Sequence, residues 1–95
     1  MALDDIDFEW DENKRQANRR KHGVDFADAV ECFYDSFSKV IPDPDHHAEH
    51  RYVLVGIDTS GRLLVVVYSQ PDDTTIRIIS ARAATPSERR TFLQR

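Results

Sequence analysis

An α+β fold is predicted by three observations on the sequence. Apolar residues alternate with acids near the start, two stretches carry helix caps, and a run of short strand-forming segments ends in a third cap. Ile6, Phe8 and Trp10 alternate with acids and predict a short opening strand, with Asp11 as the N-cap of a helix. That helix should run from Glu12 to His22. Glu12 stands at its positive end, Arg19, Arg20 and Lys21 at its negative end, and Gly23 beyond it as C′. Ala17 is its only clearly apolar residue, so a narrow packing contact and a basic outer face are expected.

A second helix is expected after Asp25, where Phe26, Ala29, Val30 and Phe33 make one apolar face and serve as scaffold. Cys32 falls in this segment as a small core residue. Lys39-Val40-Ile41 reads as a brief strand ended by Pro42, and Pro42 to His47 as a loop. Arg51–Asp58 and Arg62–Ser69 read as strands joined by the turn Thr59-Ser60-Gly61, and Pro71-Asp72-Asp73 as the turn into a last strand, Thr75–Arg82. Thr85-Pro86-Ser87-Glu88 is a capping box with proline at the first helical position, so a terminal helix follows. The chain of 95 residues is then one domain, 1–95: strand, two helices, an antiparallel meander and a closing helix.

Composition limits the function. The single cysteine excludes an internal disulfide, and no apolar run has the length of a membrane span, so a cytoplasmic protein without membrane partners is expected. The formal charge of −4 argues at first against a polyanionic partner. The distribution argues the other way: acids crowd 4–12, whereas Lys14, Arg15, Arg19, Arg20 and Lys21 form a basic block, and Arg77, Arg82, Arg89, Arg90 and Arg95 make the C-terminal part cationic.

The last strand is the informative one. Ile76, Ile78 and Ile79 call for apolar cover, while Arg77 and Arg82 call for a cleft, an acid or an anion. Five positions apart, these arginines point to opposite faces of an unbroken strand, so a shared site requires a bulge or a strand that ends before Arg82. Glu49, His50, Arg51 and Tyr52 add an acid, cations and an aromatic hydroxyl upstream. His46 and His50 could share a metal only on a helix, which the preceding prolines oppose, so neither metal nor cofactor is expected. No glycine-rich phosphate loop and no nucleophile elbow is present. The set Glu49, Arg51, Tyr52, Arg77 and Arg82, with Lys21 or a histidine, suits cleavage of RNA by its own 2′-hydroxyl, which needs a base, an acid and cations around the phosphorane.

Phe8-Glu9-Trp10-Asp11-Glu12, Asn18, Lys21-His22-Gly23-Val24-Asp25-Phe26, Glu49-x-Arg51-Tyr52 and Arg77-Ile78-Ile79-Ser80-Ala81-Arg82, in this order, resemble the BrnT family of type II toxins. The resemblance implies a fold similar to RelE-type ribonucleases and an enzyme that inhibits translation by cutting RNA; with the metal-free residue set above, a metal-independent endoribonuclease is expected. It also implies neutralisation by a BrnA-like antitoxin, which alone would bind the operator DNA. Carried onto this chain, the family's catalytic positions fall on Lys21, Glu49, Arg51, Tyr52, Arg77 and Arg82. Lys14, Arg19, Arg20, His22 and Ser80 are candidate RNA contacts, and Asn18 and Gly23 are assigned to structure. The histidines before Glu49 depart from the family pattern and leave open a part for His47 or His50 in proton transfer. The antitoxin is expected on the basic surface of residues 14–21 and the terminal arginines, in an assembly with two copies of each chain. The alternative is a fold of this kind that only binds protein or nucleic acid.

Overall fold

The structure is a computed structural model that describes residues 3–44 and 50–94. A five-stranded sheet in the order β1-β5-β4-β3-β2 forms its centre. β1 (Asp7–Glu9) leads into α1 (Glu12–His22) and α2 (Phe26–Glu31), which is followed by a 3-10 turn, Cys32–Tyr34. The meander β2 (Lys39–Pro42), β3 (Arg51–Ile57), β4 (Leu63–Asp72) and β5 (Thr75–Ala83) comes next, and α3 (Pro86–Leu93) closes the chain. The meander is antiparallel throughout, and β1 adds to β5 in parallel. No helix among the described residues is long and apolar enough to cross a membrane.

The caps act as the sequence predicts. Asp11 accepts from the Lys14 amide at 3.1 Å, Asp25 from the Ala27 amide at 3.1 Å, and Thr85 and Glu88 satisfy each other's amides at 3.1 and 2.9 Å. Gly23 ends α1 with φ 69°, a left-handed position that suits glycine. Two strands run further than expected. Pro42 belongs to β2, the edge strand of the sheet, where a missing N–H is tolerated. Pro71 lies in β4 beyond Ser69, the last residue of β4 registered with β3, so no ladder bond to β3 is lost there.

α1 and α2 cover one face of the sheet. Val24, Phe26, Ala29, Cys32 and Phe33 pack there against Leu54, Leu64, Val66, Tyr68, Ile76, Ile78 and Ala81. Aromatic rings run through this core, from Phe8 on Phe33 (centroids 5.1 Å) to Phe33 on Tyr68 (5.0 Å) and Tyr68 on Tyr52 (5.5 Å). Gly56 lets the 3-10 turn approach β3, because a Cβ there would lie 2.8 Å from the Cys32 carbonyl oxygen. Burial pushes the Cys32 thiol up to about 12.

α1 solves its lack of an apolar stripe with an amide. Asn18 is its buried residue: Nδ2 donates to the carbonyls of Val24 (2.9 Å) and Ala81 (2.8 Å), and Oδ1 accepts from the Ala81 amide at 3.1 Å. β1 is registered with β5 only at residues 75–77, so further along β5 the Asn18 carboxamide takes both backbone groups of Ala81 as a neighbouring strand would.

Candidate active site

The bulge that the two arginines require is present. Val67 is registered with Ser80 but Tyr68 with Ile78, which leaves Ile79 as the extra residue of β5. The parity of the strand therefore changes between Arg77 and Arg82. Arg77 stands opposite Ser69, Ser69 opposite Arg51, Ser80 opposite Val67, and Arg82 opposite Val65, all on the face turned away from α1 and α2.

On that face a cleft of about 500 Å³ is lined by Arg51, Ser80 and Arg82, with Val53, Val55, Val65 and Val67 as its floor. Ile41, Asp43, Pro44 and Glu88 complete it. Each arginine brings a carboxylate. Arg82 makes a two-pronged bond to Glu88 (2.7 and 2.9 Å), which ties α3 to β5 and holds the Glu88 carboxyl down to about 2. Arg51 Nε lies 3.6 Å from Asp43 Oδ2, an ion pair too long for a hydrogen bond, and is buried with no hydrogen-bond partner among the described residues. An unsatisfied guanidinium N–H beside a cleft favours an incoming anion.

The remaining candidates are distributed around this cleft. Arg77 shares the sheet face but turns its guanidinium to Glu9 Oε2 at 2.6 Å. Tyr52 is on the opposite face, its ring against Tyr68, and borders a small hollow with His50, Gln70 and Asp72. Lys14, Lys21 and His22 lie along a separate groove of about 230 Å³ between α1 and β5, with Ala17, Asn18, Ile79 and Ser80. Ser80 is thus common to groove and cleft. Arg19 is drawn towards Asp25 at 3.9 Å, and Arg20 is exposed. Glu49, His46 and His47 lie outside the described residues. Their segment is bounded by Pro44, which lines the cleft, and by His50, which precedes Arg51.

Sequence reasoning missed Asp43 and Glu88 as cleft residues. Glu88 was legible only as a cap, and nothing local in Pro42-Asp43-Pro44 marks a carboxylate opposite Arg51.

Fold and cleft together define a small α+β protein with an anion-ready, arginine-bearing sheet face. The model of a family described as ribonuclease toxin, BrnT, of type II toxin-antitoxin system matches residues 10–88. The chain belongs to this BrnT family of ribonuclease toxins. Among solved structures it is similar to the Brucella abortus ribonuclease toxin BrnT, with 33% identity, a TM-score of 0.69, and coverage of 84% of this chain and 97% of that one. Among curated proteins none matches.

Proposed function

We propose that this chain is a metal-independent endoribonuclease that inhibits translation by cutting RNA in the Arg51–Ser80–Arg82 cleft. The observation that carries it is the bulge at Ile79, which puts Ser80 and Arg82 on the face that holds Arg51. Glu49, two positions before Arg51, takes the proton of the ribose 2′-hydroxyl. The 2′-oxygen attacks phosphorus, the bond to the 5′-oxygen breaks, and that oxygen receives a proton. The products are a 2′,3′-cyclic phosphate and a 5′-hydroxyl. Arg51 and Arg82 face the charge that builds on the phosphorane, and Arg77 extends the cationic row on the same face. Tyr52 lies on the other face with His50 beside it, and Lys21 in the neighbouring groove, so the proton donor is assigned to His47.

The toxin class implies an antitoxin. A BrnA-like protein that covers the cationic surroundings of the cleft, in a complex with two copies of each chain, and that alone contacts operator DNA, is the partner we propose. The purified protein incubated with RNA, with and without EDTA, tests the chemistry. Cleavage unaffected by EDTA and fragments ending in cyclic phosphate and 5′-hydroxyl are expected; fragments ending in 5′-phosphate, or activity that Mg²⁺ restores after chelation, rule the mechanism out. Retained RNA binding without any cleavage is the signature of the non-catalytic alternative, which the charge-balanced pairs Arg82–Glu88 and Arg51–Asp43 favour.

A further inference from the structure

The groove between α1 and β5 is not accounted for by the chemistry above. Lys14, Ala17, Asn18 and Lys21 follow one another at the spacing of a single helix face, the face that meets β5. Six arginines of this chain have an acid beside them: Arg15 has Glu12 and Asp25, Arg19 has Asp25, Arg51 has Asp43, Arg62 has Asp28 and Asp58, Arg77 has Glu9, and Arg82 has Glu88. Among the described residues Lys14 and Lys21 form no such pair, nor do Arg20, Lys39, Arg89 and Arg90, and of these six it is the two lysines that line the groove beside Ser80. Lys21, in the last turn, has the helix dipole in its favour; Lys14, in the first turn, has it against it. Asp11 caps that first turn through the Lys14 amide but forms no ion pair with the Lys14 ammonium, which is left to take an anion brought from outside. The groove meets the arginine cleft at Ser80, so a strand held in one is led into the other.

We propose that the Lys14–Lys21 groove is a second phosphate subsite for RNA, which holds the phosphodiester next to the one in the arginine cleft, with Ser80 at the threshold between them. The proposal rests on the reading of the cleft as the place of cleavage. Lys14 and Lys21 bind here as point charges, and the Ser80 hydroxyl offers a donor to either phosphate.

Two substrates separate the subsites: a dinucleotide, whose one phosphodiester fills the cleft alone, and a short single-stranded oligoribonucleotide. In the Lys14→Gln/Lys21→Gln variant the KM for the oligonucleotide should rise about tenfold with kcat within about twofold, and the KM for the dinucleotide should rise far less. Lys39→Gln, the same loss of charge on β2, should change neither, and Lys14→Arg/Lys21→Arg should restore the oligonucleotide KM. Equal loss of kcat on both substrates makes a lysine part of the chemistry and overturns the subsite. A variant that keeps its RNA kinetics but loses the co-expressed antitoxin assigns the groove to a protein and overturns it too. Binding of an all-2′-O-methyl oligonucleotide, which lacks the nucleophile, is read by anisotropy on the same variants. Should the wild type cut nothing, the proposed cleavage falls, and a tenfold loss of this binding still upholds the groove while unchanged binding overturns it.

Discussion

The arginine cleft and the lysine groove meet at one serine, yet they are built in opposite ways. The cleft is charge-balanced: Arg51 and Arg82 each stand beside a carboxylate, on a floor of valines at the centre of the sheet. The groove holds Lys14 and Lys21 unpaired on a helix whose buried residue is an asparagine. Arg82 is fixed in direction by its two bonds to Glu88 and Arg51 is buried beside Asp43, a placement that suits stabilising a transition state. Unbalanced lysines are loosely placed charges, which suits gathering a polyanion whatever its sequence. In the proposed mechanism, position and attraction are thus supplied by different residues.

Substitutions in the two regions should differ in kind as well as in size. Arg51→Ala should lower kcat on RNA by about a hundred- to a thousandfold, the scale of losing a transition-state donor, with a thermal melt to show that the variant is folded. Full activity in a folded Arg51→Ala protein would end the assignment of the cleft. Asn18→Ala acts on the joint between the regions. It leaves the Val24 carbonyl and both backbone groups of Ala81 without their partner and should cost about 2–3 kcal/mol in denaturant unfolding. A change below about 0.5 kcal/mol would mean that water replaces the amide and that α1 is held elsewhere.

Salt sharpens the contrast further. Removing both groove lysines should flatten the dependence of log affinity for single-stranded RNA on log salt by about 1.4, from roughly 0.7 for each phosphate contact, and Lys39→Gln should leave it unaltered. The smallest effect belongs to the balanced pair. The Glu88 carboxyl, held down to about 2 by Arg82, contributes stability that is complete above its ordinary value of 4.5 and is lost as pH falls from there to about 2. Both side chains are more than a third exposed, so screening should keep the loss in an acid titration under about 1 kcal/mol, and Glu88→Gln should remove that part of the pH dependence. Asp25, held down to about 2 by Arg15, should keep its own part in that variant.

The elements were readable because their signals are local. Asp11, Asp25 and Thr85 cap within three residues, and the runs of strand-forming residues on either side of Thr59-Ser60-Gly61 mark β3 and β4 without knowledge of their neighbours. The site was readable only in part because its logic is long-range. Arg77 and Arg82 show that a bulge is needed, but the residue that forms it, Ile79, depends on the register of β4. The anchoring of α1 could not be read either: Asn18 is marked as a helix hydrogen-bonder by type, and its partner Ala81 lies 63 residues on. Asp43 escaped notice for the same reason, since only the closing of the β2–β3 hairpin brings it to Arg51.

The close seating of the Cys32 carbonyl on Gly56 gives the protein a built-in clock. The thiol is buried and pushed up to about 12, so a thiolate forms at neutral pH only when the 3-10 turn lifts from β3. With one cysteine in the chain, alkylation should scale with the fraction of time that turn is open, times the intrinsic reactivity of an exposed thiol. A partner that clamps the helical layer would slow the reaction, and one that holds only the arginine face would leave it unchanged. The side of the sheet on which an antitoxin settles can therefore be timed from a buried thiol.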